Sequence, residues 1–382
     1  MNEEFMRRAI ALAQMGRGFT NPNPVVGAVI VKKGVIVAEG FHRKIGGLHA
    51  EREAIKAARD KKIDIRGACL FVTLEPCSHT GRQPPCTQAV IESGISEVFY
   101  GSDDPNPLVN GRGRKALEDA GIRVVPGFLK EECDALNPVF FHYIKTKMPY
   151  VILKYAMTAD GQTATSKAES RWVTGHEARQ NVHKTRSEVM AVLTGIGTAK
   201  KDNPMLNVRL DDKKEHRQPV RVILDSHLKL SPESMLAKTA REIPVIVFCK
   251  AELSETERIK KSVLESLGVK VLSARLEKNH SMLYSQLKTL GEMGIDSVLV
   301  ESGGTLNGSF FFEEKGLVQE LQVYIAPKIF GNDGRTIFNP VKGKGIDFPA
   351  DCIKLAKPEV EFFGEDILLR YRLVKETLDG KC

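Results

Sequence analysis

An imidazole, a carboxylate and two thiols stand at spacings that suit metal-assisted hydrolysis. His49 and Glu51 lie in Gly47-Leu48-His49-Ala50-Glu51, and Cys77 and Cys86 bound the run Pro76-Cys77-Ser78-His79-Thr80-Gly81-Arg82-Gln83-Pro84-Pro85-Cys86. His49, Cys77 and Cys86 can take three tetrahedral positions on Zn2+ and leave the fourth open, the layout of a catalytic site and not of a closed structural one. Water at such a position ionises near neutral pH. Glu51, not itself a ligand, is placed to carry a proton from that water to a departing amino group. The chemistry expected is hydrolytic deamination at an amidine-like ring carbon.

His-x-Glu followed by Pro-Cys is the signature of zinc nucleobase deaminases, in which the second cysteine comes three residues after the first. Here it comes nine residues after, so the interval is a long loop that carries His79 and Arg82. His79 is either a fourth ligand, which would close the site, or a group that faces substrate or orients a ligand. Arg82 offers a fork suited to phosphate, against the plainer reading of a solvated loop arginine.

These residues need a sheet and helices to hold them. Helical spacing runs over residues 5–14, and β-rich runs over 25–31 and 35–40 flank the hairpin signal Lys33-Gly34. A helix over 50–59 begins at the His-x-Glu motif, a buried strand over 68–73 delivers the Pro-Cys turn, and a helix over 86–93 and a strand over 97–100 follow. This β-β-α-β-α-β order puts both metal-binding segments at helix N-termini, where the dipole favours thiolate over thiol.

At 382 residues, two domains are expected. Hydrophobic content of 42% and charged content of 27% are those of a soluble globular protein. No apolar run approaches the ~20 residues that cross a bilayer, and the N-terminal stretch lacks the apolar core of a secretory signal. Seven scattered cysteines give no disulfide framework, so a cytoplasmic location is expected. The net charge of +8 is spread along the chain, without an Arg-rich block or interleaved stacking aromatics. It suits a small phosphorylated ligand better than nucleic acid, and no membrane partner is expected.

The second half carries weaker signals. Strands over 150–154, 189–194, 220–224, 245–249, 269–273, 297–300 and 321–325 alternate with helices, which argues for an α/β domain with a mostly parallel sheet. Glu301-Ser302-Gly303-Gly304-Thr305-Leu306-Asn307-Gly308-Ser309 reads as a Gly-rich turn between a strand and a helix over 310–314, and Gly195-Ile196-Gly197-Thr198-Ala199 repeats the arrangement. Such turns bring backbone N–H groups near a phosphate. Neither is the Gly-x-Gly-x-x-Gly fingerprint, so a nucleotide cofactor is indicated without its identity.

In chain order stand Thr20-Asn21-Pro22-Asn23-Pro24-Val25-Val26-Gly27, Gly40-Phe41-His42, the two metal motifs, and Asp104-Pro105-Asn106-Pro107-Leu108-Val109-Asn110-Gly111-Arg112-Gly113. After them come Lys154-Tyr155-Ala156-Met157-Thr158-Ala159-Asp160-Gly161, Glu169-Ser170-Arg171-Trp172-Val173-Thr174-Gly175, Val182-His183-Lys184-Thr185-Arg186 and Leu224-Asp225-Ser226. Over nearly its whole length this series resembles the bifunctional riboflavin-biosynthesis deaminase–reductases. The resemblance implies a cytidine-deaminase-like three-layer α/β/α domain over residues 1–146 and a dihydrofolate-reductase-like α/β domain over 147–382. It implies a diaminopyrimidinone substrate carrying a phosphoribosylamino group, deaminated first. NADPH then reduces the ribosyl side chain to ribityl in the second domain.

Carried over to this chain, the resemblance makes His49, Cys77 and Cys86 the zinc ligands and Glu51 the proton carrier, with Asn23, His42, Arg82, Asp104 and Asn106 lining the first pocket. In the second it assigns NADPH to Ala156, Trp172, Thr198, Asp202, Ser226 and the Gly303, Gly304, Thr305, Leu306, Asn307, Gly308, Ser309 segment. It assigns substrate to Ser170, Arg186, Leu206, Arg209 and Glu301, with Lys154 and Asp160 as candidates for proton delivery or positioning. Arg186 and Arg209 suit a phosphate, and Trp172 a flat cofactor ring, unless that tryptophan is a plain core aromatic. Leu48 stands where proline is common, Gln83 where threonine is, and Met190 where aspartate is, the last with an expected effect on packing or the ribose contact. A homo-oligomer, dimer or tetramer, is implied. The rival readings are a tRNA-acting deaminase and a structural zinc module fused to a nucleotide-sensing domain.

Overall fold

The computed structural model describes residues 2–78, 84–106, 111–212, 215–331 and 338–374. His79, Arg82 and Gln83 therefore lie outside the described residues. The chain separates into two units, Met1–Lys147 and Met148–Cys382.

The first unit runs α1 (Asn2–Gln14), β1 (Gly27–Lys32), β2 (Val35–Phe41), α2 (Ala50–Asp60), β3 (Cys69–Leu74), α3 (Cys86–Glu92), β4 (Glu97–Ser102), α4 (Arg112–Asp119), β5 (Arg123–Val125), α5 (Lys130–Asp134) and α6 (Pro138–Thr146). Its five strands pair in the order β2-β1-β3-β4-β5. The β1–β2 and β1–β3 pairs are antiparallel, and β3–β4 and β4–β5 are parallel. Strand alternation sends Ala28, Ile30, Leu70, Val72 and Val98 to one face, against Ala50, Ala54 and Ala58 of α2, Val90 of α3 and Leu117 of α4. Val29, Val31, Phe71 and Phe99 go to the other face, against Phe5, Met6, Ala9 and Leu12 of α1 and Cys133 of α5. Helices cover both faces, giving three α/β/α layers.

Close approach in this unit depends on glycine. A Cβ on Gly40 would lie 2.3 Å from Ala54 N and 2.5 Å from Ala50 O, so α2 rests directly on the β2 backbone. The alanine stripe of α2 is the complementary half of that contact.

The second unit runs β6 (Tyr150–Thr158), α7 (His176–Glu188), β7 (Ala191–Gly195), α8 (Ile196–Asp202), β8 (Val220–Leu224), α9 (Met235–Lys238), β9 (Val245–Phe248), α10 (Glu255–Ser266), β10 (Lys270–Leu272), α11 (Met282–Glu292), β11 (Ser297–Val300), α12 (Gly304–Phe312), β12 (Glu320–Ala326), β13 (Glu359–Phe363) and β14 (Asp366–Arg372). Nine strands pair in the order β10-β9-β8-β7-β11-β6-β12-β14-β13. All pairs from β10 to β12 are parallel, and β12–β14 and β14–β13 are antiparallel. Leu283, Leu287 and Leu290 of α11 and Phe310 of α12 pack on one face with Leu153, Leu193, Phe248 and Val300. Ala178 and Val182 of α7 pack on the other with Tyr324 and Leu368.

Two expectations change here. The segment read as a Gly-rich turn is the start of α12, with Gly303 as its N-cap, so the helix begins six residues before the expected 310. The β13–β14 hairpin adds two strands beyond those anticipated, joined through Gly364 at φ +60°.

Candidate active sites

His49 is the N-cap of α2 and Cys86 the first residue of α3, so two helix starts converge on the turn after β3 that carries Cys77. His49 Nδ1 lies 3.6 Å from Cys77 Sγ and 3.3 Å from Cys86 Sγ. Tetrahedral N/S ligation with ordinary zinc bond lengths predicts N···S edges of roughly 3.6 Å, so the donor set fits the ion. The three ligand atoms lie within 4.8 Å of one another. The Cys86 N–H donates to Cys77 Sγ at 3.4 Å, and the Thr87 N–H holds the Cys77 carbonyl at 3.2 Å. The neighbouring Cys86 thiol, and His49 after it, draw Cys77 toward thiolate against the effect of burial.

Glu51 lies in the first turn of α2 and is 4% exposed. Burial, then the nearby Cys77 charge, pushes its carboxyl up to about 7. Arg52, not anticipated, donates to Pro84 O at 3.2 Å and Pro85 O at 2.9 Å and so ties α2 to the end of the long loop.

His42 is 3% exposed, and its ring meets that of His49 edge-on at 5.4 Å. Its Nδ1 donates to Leu48 O at 2.9 Å, which leaves Nε2 as an acceptor facing Asn23 Nδ2 at 3.5 Å. Burial keeps this imidazole neutral by lowering its pKa. Asp104 is buried and its Oδ1 accepts the Asn106 N–H at 2.8 Å.

In the second unit the expected residues come together at the carboxyl ends of neighbouring parallel strands, where open α/β sheets bind ligands. Ser226 follows β8, Thr198 follows β7, Glu301 and Gly303 follow β11, and Ala156 lies near the end of β6. The two Gly-led helix starts are adjacent: a Cβ on Gly303 would lie 3.7 Å from Thr198 Oγ1, and one on Gly195 would lie 3.2 Å from Leu306 Cδ2. The other glycines of the segment have a packing role. A Cβ on Gly304 would lie 2.3 Å from Asn339 O, and one on Gly308 only 1.4 Å from Lys342 O. Asn307, 1% exposed, donates to Pro340 O at 2.7 Å. Thr305 is exposed and Ser309 half-buried.

Arg186 makes a two-pronged pair with Glu301, Nε to Oε1 at 2.6 Å and Nη2 to Oε2 at 3.0 Å, and its Nη1 donates to Asn207 O at 2.9 Å. Three of its five N–H donors are thus engaged, and Arg209 is the more exposed guanidinium of the two. His183, which sequence reasoning quoted but did not single out, joins them. Burial and then Arg186 and Arg209 hold it down at about 4, so it is neutral at pH 7. Its spacing of three from Arg186 on α7 was the available signal. Lys154 lies over the Tyr324 ring at 5.6 Å, its pKa lowered by burial.

Trp172 is 62% exposed, which removes the core-aromatic reading, and the Arg179 guanidinium lies over its ring at 4.4 Å. Ser170 is half-buried beside it in sequence. The Asp202 carbonyl accepts from Arg171 at 2.8 Å. Leu206 is buried, with φ +49°. Asp160 accepts from Gly331 N at 2.7 Å, from Phe330 N at 3.2 Å and from the Thr158 hydroxyl. The Thr158 bond first, then the two backbone bonds against burial, keeps it ionised, which fits positioning and not proton delivery. Met190 precedes β7, at the opposite end of the sheet from this cluster, where its Sδ accepts the Asp296 N–H at 3.4 Å. Its effect is therefore on packing and not on a ribose contact.

Comparison with known proteins agrees with both halves. Residues 1–102 match the cytidine and deoxycytidylate deaminase zinc-binding region, and residues 149–369 match the RibD C-terminal domain. The chain is 50% identical over 372 residues to riboflavin biosynthesis protein RibD of Actinobacillus pleuropneumoniae, covering 97% of this chain and 95% of that one. With the Escherichia coli K12 protein of the same name it shares 38% identity over 378 residues, covering 96% and 98%. The crystal structure of a diaminohydroxyphosphoribosylaminopyrimidine deaminase/5-amino-6-(5-phosphoribosylamino)uracil reductase from Thermotoga maritima superposes with a TM-score of 0.82 at 40% identity, covering 97% and 98%. Acinetobacter baumannii RibD gives 0.85 at 36% identity, covering 98% and 99%.

Proposed function

From the chain's membership of the RibD family of riboflavin-biosynthesis proteins, we propose how its residues divide the two reactions. The chain is a bifunctional deaminase–reductase of riboflavin biosynthesis, with a zinc-binding deaminase region and a reductase domain. The first unit removes the ring amine of a phosphoribosylamino-diaminopyrimidinone, and the second uses NADPH to reduce the ribosyl side chain of the resulting aminouracil to ribityl.

The observation that carries the deaminase reading is a donor set within 4.8 Å beside a buried, non-ligating carboxylate. Zn2+ held by His49, Cys77 and Cys86 supplies the Lewis acidity that makes water nucleophilic near neutral pH. Glu51 accepts a proton at one carboxylate oxygen and delivers it to the departing nitrogen, so that ammonia leaves neutral. The fixed tautomer of His42 presents an acceptor that orients the Asn23 amide toward the base. Asp104 and Asn106 line the described part of the pocket in this reading.

In the second unit Ala156, Thr198, Ser226 and Gly303 at the strand ends, with Asp202 at the end of α8, would hold NADPH, and Trp172 would offer its ring a flat surface. Hydride transfer asks the protein mainly to align two carbons. Three cations, Lys154, Arg186 and Arg209, surround one carboxylate, Glu301, which leaves net positive charge for a phosphate. Arg186 braces Glu301, Arg209 is the freer phosphate partner, and Lys154 Nζ is the proton source. Ser170 and Leu206 fall on the substrate side. Among the described residues no helix is long and apolar enough to cross a membrane. Self-association to a homo-oligomer is supported by edge strand β13, where Val360 and Phe362 are 52% and 71% exposed.

The test supplies the phosphoribosylamino-diaminopyrimidinone with and without NADPH. Ammonia is expected in both cases and NADPH oxidation only in the second, with NADH a poorer donor. Glu51→Gln should retain zinc yet lose ammonia release by 100-fold or more, on the order expected for a removed general acid–base. Wild-type ammonia release from that variant would sink the deaminase assignment.

A further inference from the structure

Glu75 immediately precedes the Pro76-Cys77 turn and is 3% exposed, yet no step above uses it. Its carboxylate reaches the start of α4: Oε2 accepts the Gly111 N–H at 3.1 Å and Oε1 accepts the Arg114 N–H at 3.1 Å. A carboxylate is favoured there because unpaired N–H groups and the helix dipole both face it. The Glu75 N–H donates to Ser102 O at 2.9 Å. Ser102 ends β4 and Gly111 caps α4, so one residue grips both ends of the segment that carries Asp104 and Asn106. Gly113 permits the contact, since a Cβ there would lie 2.0 Å from Pro76 O.

We propose that Glu75 is a positioning residue for the deaminase, fixing the Asp104–Asn106 segment against the metal-bearing turn so that base and ribose phosphate meet the reacting centre in register. The proposal rests on the reading that Asp104 and Asn106 line the substrate pocket. Cys77 is only two residues on, so a shift at the α4 start changes the distance between pocket wall and metal turn without removing a ligand.

The experiment measures Glu75→Gln and Asp104→Ala in the full-length zinc enzyme. In Glu75→Gln the amide keeps one acceptor and turns an NH2 toward an N–H, losing one of the two bonds to α4. KM for the pyrimidine should rise on the order of tenfold, the worth of a lost charge-assisted hydrogen bond. In the same variant kcat should stay within about threefold of wild type, and zinc per chain and NADPH oxidation should be unchanged. Hydrogen exchange at the Gly111 and Arg114 amides should accelerate, a readout independent of activity. Raised KM in both variants with zinc retained supports the proposal. Raised KM in Asp104→Ala but not in Glu75→Gln overturns it while leaving the pocket reading intact. An unchanged KM in Asp104→Ala overturns both. Loss of zinc or a fall in kcat alone in Glu75→Gln assigns Glu75 to support of the metal turn and overturns the proposal.

Discussion

Glu301 shows how far one residue's environment reaches into the behaviour of its unit. Burial pushes its carboxyl up, but the Arg186 guanidinium, with Lys154 and His183 behind it, outweighs burial and holds it at about 2, against an ordinary 4.5. Because the folded value is the lower one, the stabilisation is fully present above pH 4.5 and is lost as the pH falls toward 2. A shift of this size corresponds to about 3 kcal/mol. Glu301→Gln keeps the shape but leaves the half-buried Arg186 without its counter-charge, so the second unit should be less stable at pH 7 by a similar amount. Thermal melts of both proteins from pH 7 to pH 3 check this: the gap between them should narrow by more than half at the acid end. A gap that stays constant with pH would show that the pair contributes no charge-dependent stability.

At the scale of elements, two glycines carry the contacts on which the sites depend, each in its own unit. Gly40 lets α2 lie on β2 and so sets the height of His49 and Glu51, and Gly308 lets the middle of α12 approach the Lys342 backbone. Overpacking of this kind commonly costs ~1–3 kcal/mol. Gly40→Ala should weaken zinc retention and ammonia release while NADPH oxidation holds. Gly308→Ala should lower NADPH affinity and hydride transfer while ammonia release holds, with dialysis against a metal-free buffer and NADPH titration as the measurements. Loss of both activities in either variant would show that the effect is not local. The first unit's elements through β4 were legible because its central strands alternate between two buried faces. By contrast, α4, β5, α5 and α6 went unread, β5 being a three-residue edge strand with no buried residue. The start of α12 was hidden, because glycine is a poor helix former and only the packing of the 339–343 segment explains it. The β13–β14 hairpin was missed for a related reason: as an edge strand β13 leaves Val360 and Phe362 in solvent, so burial imposes no clean pattern on it.

For the whole molecule, what is legible depends on whether residue types announce a chemistry or only their folded neighbours do. His49 and Cys86 lie 37 positions apart, yet the metal site was legible because ligand types in His-x-Glu and Pro-Cys settings announce it. Arg186 and Glu301 are separated by 115 positions, and Glu75 and Gly111 by 36; their pairing emerges only once the sheets are built. Each unit has a sheet of its own, of five and nine strands, and each buries its own apolar clusters. The zinc donors all belong to the first unit, and every residue assigned to NADPH belongs to the second. Metal binding should therefore stabilise one unit by mass action and leave the other's equilibrium untouched. Treating the purified protein with a chelator should abolish ammonia release and lower the melting temperature of the first unit. NADPH oxidation with the deaminated aminouracil as substrate should stay within about twofold, the tolerance of a ΔΔG under 0.5 kcal/mol. Adding Zn2+ back should restore ammonia release alone. A parallel fall and recovery of NADPH oxidation would mean that the reductase needs the metal-bound first unit, and the assignment of two self-sufficient cores would have to be given up.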